Sequence, residues 1–177
     1  MVGAKLTGAG RYRDILSFLK TGASEIFDFV DAGLPSTVVP EDEYRAAIRP
    51  LLRCINALEP DFLVVEAGAS PLEPYNGDVL VDELGDNVVC TILCASDPYA
   101  VVGVEKAYGL RPDLVTGPAT QTSAAVELVW KLSGLHGINI IDPAAIQRFH
   151  NFLEDKLGLK PNENCPLTST GQKVADR

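Results

Sequence analysis

The sequence predicts a three-layer α/β/α fold with a mainly parallel sheet. Three observations carry this. Strand-like and helix-like segments alternate along most of the 177 residues. The two strongest strand signals, "DFLVVE" (61–66) and "NVVCTILCA" (87–95), are apolar runs without strict alternation, as expected of strands covered on both faces. Strands separated by crossover helices close into parallel, doubly wound sheets.

The elements follow in order. "VGAKLT" (2–7) reads as a short strand. "RYRDILSFLKTG" (11–22) has apolar residues at helical spacing and closes on Gly22. "EIFDFV" (25–30) alternates as a strand and runs into the turn cluster "DAGLPS". "EDEYRAAIRPLLRCINAL" (41–58) opens with acids and is amphipathic, with Pro50 expected to kink or divide it. After strand 61–66, residues 67–86 hold two prolines and three glycines, which predicts a long folded loop with a short helix. Strand 87–95 leads to a helix over 97–110 that opens on Asp97-Pro98. A strand at 112–117, a helix at 120–134, a strand at 137–142 and a helix at 143–158 complete the pattern. Residues 1–158 read as a single α/β domain, and 159–177 as a polar C-terminal tail.

Composition narrows the function classes. Hydrophobic residues make up 46% of the chain, a globular proportion. Fifteen basic residues against 24 acidic ones give a net charge of −9, which argues against nucleic acid as a charge-held partner. No apolar run approaches the ~20 residues of a membrane span, and "MVGAKLTGAG" lacks the apolar core of a signal peptide. Cys54, Cys90, Cys94 and Cys165 form no C-x-x-C pair. On one strand Cys90 and Cys94 would stand roughly 13 Å apart, too far for a disulfide. The four read as reduced thiols of a cytoplasmic protein.

The candidate site residues gather at strand ends, where open α/β sheets bind ligands. Glu66 closes an apolar strand and is followed by "AGAS" (67–70), a place for a metal or phosphate or a plain loop exit. Lys5 lies at the end of the first strand. It either aims at a phosphate or reaches solvent from an edge. Arg11, Arg13 and Asp14 follow the turn "GAG" (8–10) and can hold an anion and a metal, or form a solvated first helical turn. "GPATQTS" (117–123) is a small, polar joint whose N–H groups can receive a base or phosphate, or cap the helix. Asp97 reads first as an N-cap. Asp31 lies 21 residues beyond Gly10, near the spacing of a ribose-binding acid, which leaves a nicotinamide-binding reading open. No complete G-x-x-x-x-G-K-[ST] is present.

"VGAKLTGAGRYRD", "LPSTVVP", "DFLVVEAGASPLEP" and "NVVCTILCASDPYAV" occur in that order and together resemble dethiobiotin synthetase and related P-loop ligases. The resemblance covers about residues 1–142. It implies a P-loop-NTPase-like sheet without the first strand and P-loop, similar to the C-terminal part of longer bacterial P-loop proteins of unassigned function. It also implies roles for single residues. Lys5 would meet substrate and phosphate groups. Glu66 and Asp14 would help hold Mg²⁺, and Pro35, Ser36 and Thr37 would stand beside the substrate. Apart from the resemblance, the residue pattern itself makes Arg11 a candidate for binding substrate and Gly117 and Thr120 candidates for binding nucleotide. Leu6 stands where that family has proline after the lysine, and Ala67 and Ser70 stand where it has glycines.

The expected function is the C-terminal half of an ATP- and Mg²⁺-dependent ligase or kinase-like enzyme acting on a small carboxylate-type substrate, inactive or nearly so alone. The alternatives are a non-catalytic small-molecule-binding or regulatory domain, and a NAD-binding oxidoreductase module. Expected partners are a P-loop-bearing segment or chain and a second copy of this one. The second copy follows from a gap expected between strands 1–7 and 61–66, with strand 1–7 near the interface.

Overall fold

The computed structural model describes residues 1–159, so Cys165 and nearly all of the tail lie outside the described residues. The protein is an α/β fold with short parallel strands. β1 (Val2–Thr7) follows the sequence expectation without change. α1 (Tyr12–Lys20) packs on it, and the Phe18 ring lies where a Cβ on Gly3 would be, 2.4 Å away. That contact explains a glycine inside an otherwise β-branched and aliphatic strand.

β2 (Glu25–Asp28) is shorter than the alternating pattern suggests. Asp28 ends it by accepting the Val30 N–H, while Asp31 accepts the Asp28 N–H at 2.8 Å, and residues 29–32 turn as a 3-10 helix. α2 (Glu41–Asn56) runs unbroken through Pro50. Pro50 and Ala46 are both exposed, so the carbonyl that loses its partner can turn to water. α2 buries Tyr44, Ile48, Leu51 and Ile55 against β1 and β3 (Leu63–Ala67), and the Tyr44 hydroxyl donates to the Leu6 carbonyl at 3.0 Å.

The segment after β3 folds back as expected. It contains α3 (Gly77–Leu84), which buries Val79 and Leu80. Leu72 and Val81 are exposed. Arg45 and Arg49 of α2 clamp Glu83 of α3, and these two guanidiniums hold its carboxyl down at about 2.

The second part of the chain differs more from expectation. β4 is only Ile92–Cys94, not the nine residues of the apolar run. α4 (Pro98–Tyr108) opens on Asp97, whose carboxylate accepts the Tyr99 and Ala100 N–H groups. β5 (Leu114–Thr116) is fully buried. Thr122 caps α5 (Ser123–Ser133), and α6 (Ile146–Leu157) ends on left-handed Gly158. The strand expected at 137–142 is reduced to a single bridge between Val115 and Gly137. The Asn139 side chain and carbonyl then accept the Ile141 and Asp142 N–H groups and turn the chain away.

The strands form two parallel sheets, β2-β1-β3 and β4-β5. β1 is therefore the middle strand of its sheet, paired with β2 on one side and β3 on the other. The gap expected between strands 1–7 and 61–66 is closed by this direct pairing, and strand 1–7 lies inside its sheet. β3 is an outer strand of this sheet. The buried apolar side chains fall into separate clusters. One joins β1 to α2 and α3, one joins β5 to α4 and α5, and a small third lies under α6.

Candidate functional site

Parallel register builds the site. In the β2-β1-β3 sheet Lys5 stands opposite Asp28 on one side and Glu66 on the other. Three ionisable residues thus share one cross-strand row near the carboxyl ends of the strands. α1 adds a fourth, because the Gly8–Gly10 turn brings its first turn back over β1. The Lys5 ammonium lies 2.5 Å from Asp14 Oδ2 and 3.8 Å from Glu66 Oε1. The Lys5 side chain is 5% exposed, so these acids are what make its burial tolerable.

The acids differ in state. The hydrogen bond from Lys5 holds the Asp14 carboxyl below its usual range, helped by the charges of Lys5, Arg11 and Arg13. Burial pushes Glu66 up, the Lys5 charge opposes this, and the charges of Asp14 and Asp28 add to it. Burial likewise raises Asp28. The Lys5 ammonium pairs with Asp14 and, at longer range, Glu66, and its charge also reaches Asp28.

A cleft of about 270 Å³ opens at this point, lined by Lys5, Arg11, Asp14 and Glu66 together with Gly8, Gly68 and Tyr75. Its floor is tightly made. The Thr7 hydroxyl donates to the Gly68 carbonyl at 2.9 Å. A Cβ on Gly68 would sit 2.7 Å from the Thr7 carbonyl oxygen and 3.3 Å from Lys5 Cε. Only glycine lets the loop after β3 pass this close to the lysine stem.

Lys5, Arg11, Asp14 and Glu66 are thus brought together, and Lys5 is buried rather than reaching solvent from an edge. The loop residues Pro35, Ser36 and Thr37 stand beside the cleft without lining it. Thr37 is a structural joint: its hydroxyl accepts the Gly8 N–H at 2.9 Å and donates to the Tyr75 carbonyl at 2.7 Å. Ser36 accepts the Val38 N–H. Gly117 and Thr120 lie past β5 and do not line the cleft. The Thr120 hydroxyl is 3.0 Å from the carbonyls of Gly117 and Ile138, and left-handed Gly117 packs where a Cβ would be 3.0 Å from the Ala95 carbonyl oxygen. Both residues build the turn into α5. Asp31 is engaged in the β2 turn through its bond to the Asp28 N–H.

Asp28 is the residue that sequence reading passed over. Its signal was the one used for Glu66, a strand closing on an acid, but "EIFDFV" hid the strand end. Glu73 and Tyr75 of the loop after β3 also line the cleft, and nothing in their sequence context marks them.

Among the described residues no group of three or more His, Cys, Asp or Glu side chains is placed to hold a metal ion on its own. Mg²⁺ is commonly held by one or two carboxylates plus the phosphates of its substrate. Glu66 fits that part, since its nearest carboxylate oxygen stands beyond hydrogen-bond distance of Lys5. Asp14 fits it poorly as arranged, because its carboxylate is the counter-ion of Lys5.

No family model, curated protein or solved structure matches the chain. Fold and site together define an α/β protein with a lysine–carboxylate cleft at the carboxyl ends of parallel strands. No helix among the described residues is long and apolar enough to cross a membrane.

Proposed function

We propose that the chain is the acid-and-lysine half of an ATP- and Mg²⁺-dependent ligase or kinase-like enzyme of the cytoplasm. It would transfer a phosphoryl group to a small carboxylate-type substrate, and a second segment or chain would supply the phosphate-cradling loop. The observation that supports this most is the convergence of Lys5, Asp14 and Glu66 on one cleft. Phosphoryl transfer needs little covalent chemistry from the protein and much charge placement. Lys5 would neutralise charge on the transferred group, with Asp14 fixing its ammonium. Arg11, exposed at the mouth, would orient the substrate carboxylate. Glu66 would hold Mg²⁺ brought in with the nucleotide, and that ion would supply further charge neutralisation.

Nuclear magnetic resonance titration of the chain with ATP, with and without Mg²⁺, tests this. The expected result is weak binding, on the order of millimolar, that requires Mg²⁺ and shifts the Lys5 and Glu66 signals. Glu66→Gln should abolish this Mg²⁺-dependent binding. Binding that ignores both Mg²⁺ and Glu66→Gln would overturn the reading.

A second reading is a non-catalytic small-molecule-binding domain. It is favoured by the prior neutralisation of Lys5 inside the protein. Under that reading a small carboxylate binds the cleft equally well without nucleotide.

A further inference from the structure

The split between the two sheets leaves two strand edges without a neighbour. β3 pairs with β1 on one side and, among the described residues, with no strand on the other; β4 pairs with β5 and with no strand beyond. The carboxyl end of β4 lies within reach of the Glu66 charge near the end of β3. Burial raises the Cys94 thiol at the end of β4, and the charge of Glu66 near the end of β3 raises it further. In the helical layer, Tyr108 at the end of α4 shares a cavity with Pro71, Leu72 and Asp78 of the other half.

The backbone shows which groups are open. The Val2 N–H donates to the Phe62 carbonyl, so alternation turns Phe62 and Val64 toward β1 and Leu63 and Val65 away from it. The Leu114 N–H bonds to the Thr91 carbonyl, and the Ala95 N–H to the Thr116 carbonyl. Thr91, Leu93 and Ala95 therefore face β5, while Ile92 and Cys94 face away.

The side chains agree. All residues of β1 and β5 are buried. β3 and β4 are as apolar as central strands, yet Val64 is 43% and Ile92 37% exposed, and Val89 just before β4 is 60% exposed. Sheet edges are normally guarded by charge, proline or a bulge. Leu63, Val64, Val65, Ile92 and Leu93 carry no such guard on their side chains.

We propose that β3 and β4 receive between them one extended apolar segment from outside residues 1–177, parallel to both, which joins the two sheets into one. Charge describes it further. Glu59 and Asp61 precede β3 and Asp86 precedes β4, all exposed and in no ion pair among the described residues. The incoming strand therefore carries Lys or Arg at its amino end, ahead of a β-branched run. Residues 160–177 contain no two consecutive β-branched residues. A second copy has β1 and β5 already buried in its own sheets, and its β3 and β4 are already paired there on one side. The two open edges and the acids before them call for this segment independently of the phosphoryl-transfer reading, which asks for one as well.

The probe is a synthetic nine-residue peptide of Val, Ile and Thr led by two lysines, used without nucleotide or Mg²⁺. The proposal therefore stands or falls separately from the ATP titration. Fluorescence anisotropy should show saturable one-to-one binding. Amide exchange should slow by about tenfold or more at Val65 and at Ile92 and Cys94 together. A peptide led by two glutamates should bind roughly tenfold more weakly at low salt, and alternate N-methylation of the lysine peptide should abolish binding. Protection of only one strand, or none, overturns the proposal, as does equal binding of the N-methylated peptide. Equal binding of the glutamate peptide overturns the basic amino end. Sedimentation showing a dimer of the chain alone, with both edges already protected, assigns the gap to a second copy and overturns the proposed partner.

Discussion

The Lys5 ammonium lies 2.5 Å from the Asp14 carboxylate, although the two belong to different elements and Asp14 follows by nine residues. The glycine turn between them makes this possible. Removing either partner is not equivalent. Lys5→Met leaves carboxylates that still reach water, and methionine fills the space of the lysine stem. Asp14→Ala leaves a buried ammonium with only Glu66, at 3.8 Å, within ion-pair range. Asp14→Ala should therefore lower the melting temperature more than Lys5→Met does. Thermal melts of the two variants at neutral pH check this, and the reverse order would refute the role of Asp14 as principal counter-ion.

Glu66 gives a pH dependence of definite sign. Its folded pKa lies above the usual 4.5. Between those values the folded state holds a proton that the unfolded chain releases. The group thus favours folding at low pH and loses that contribution as pH rises through its folded pKa. Glu66→Gln should be neutral to stabilising at pH 7, and its advantage should vanish below about pH 4. Melting curves of both proteins across this range provide the measurement. A variant less stable at pH 7 than at pH 4, relative to the parent, would contradict the cost assigned to Glu66.

Two glycines should respond in opposite directions to alanine. Gly68→Ala places a methyl group against the Thr7 carbonyl, and strain of this kind typically costs about 1–3 kcal/mol. Gly103 lies inside α4 with nothing within 4 Å of an added Cβ, so Gly103→Ala should stabilise by roughly 0.5–1 kcal/mol. Urea denaturation of each variant measures both effects.

The Thr116 hydroxyl is buried and, among the described residues, has no hydrogen-bond partner. Thr116→Val replaces it with a methyl group of similar size. The variant should be more stable by about 1 kcal/mol, since an unsatisfied polar group is removed. Chemical denaturation decides this. A loss of stability would show that the hydroxyl has a partner in solution.

Much of the fold was legible because local rules decided it. β1 reads directly from "VGAKLT", and Asp97, Thr122 and Gly158 mark the ends of helices where cap chemistry places them. The apolar run 87–95 misled because strand propensity cannot report whether a neighbour exists. Most of it has no partner to pair with. Pro50 misled because its cost depends on which helix face it occupies. At the site, Lys5 and Glu66 were visible as charged residues closing apolar runs. Their company with Asp28 was not, since it depends on the register of three strands brought together from distant parts of the sequence.

The separate apolar clusters have a consequence for how the chain comes apart. The cluster around β1 draws its buried residues only from Val2 to Leu80, and the other two only from Ala95 onward. Each side therefore owns a contiguous stretch of sequence, and little shared apolar surface links their melting. Cooperativity in a domain comes from burial common to all its parts. Here it is concentrated within each half, so the half that carries Lys5, Asp14 and Glu66 can keep its cleft while the half around β5 opens.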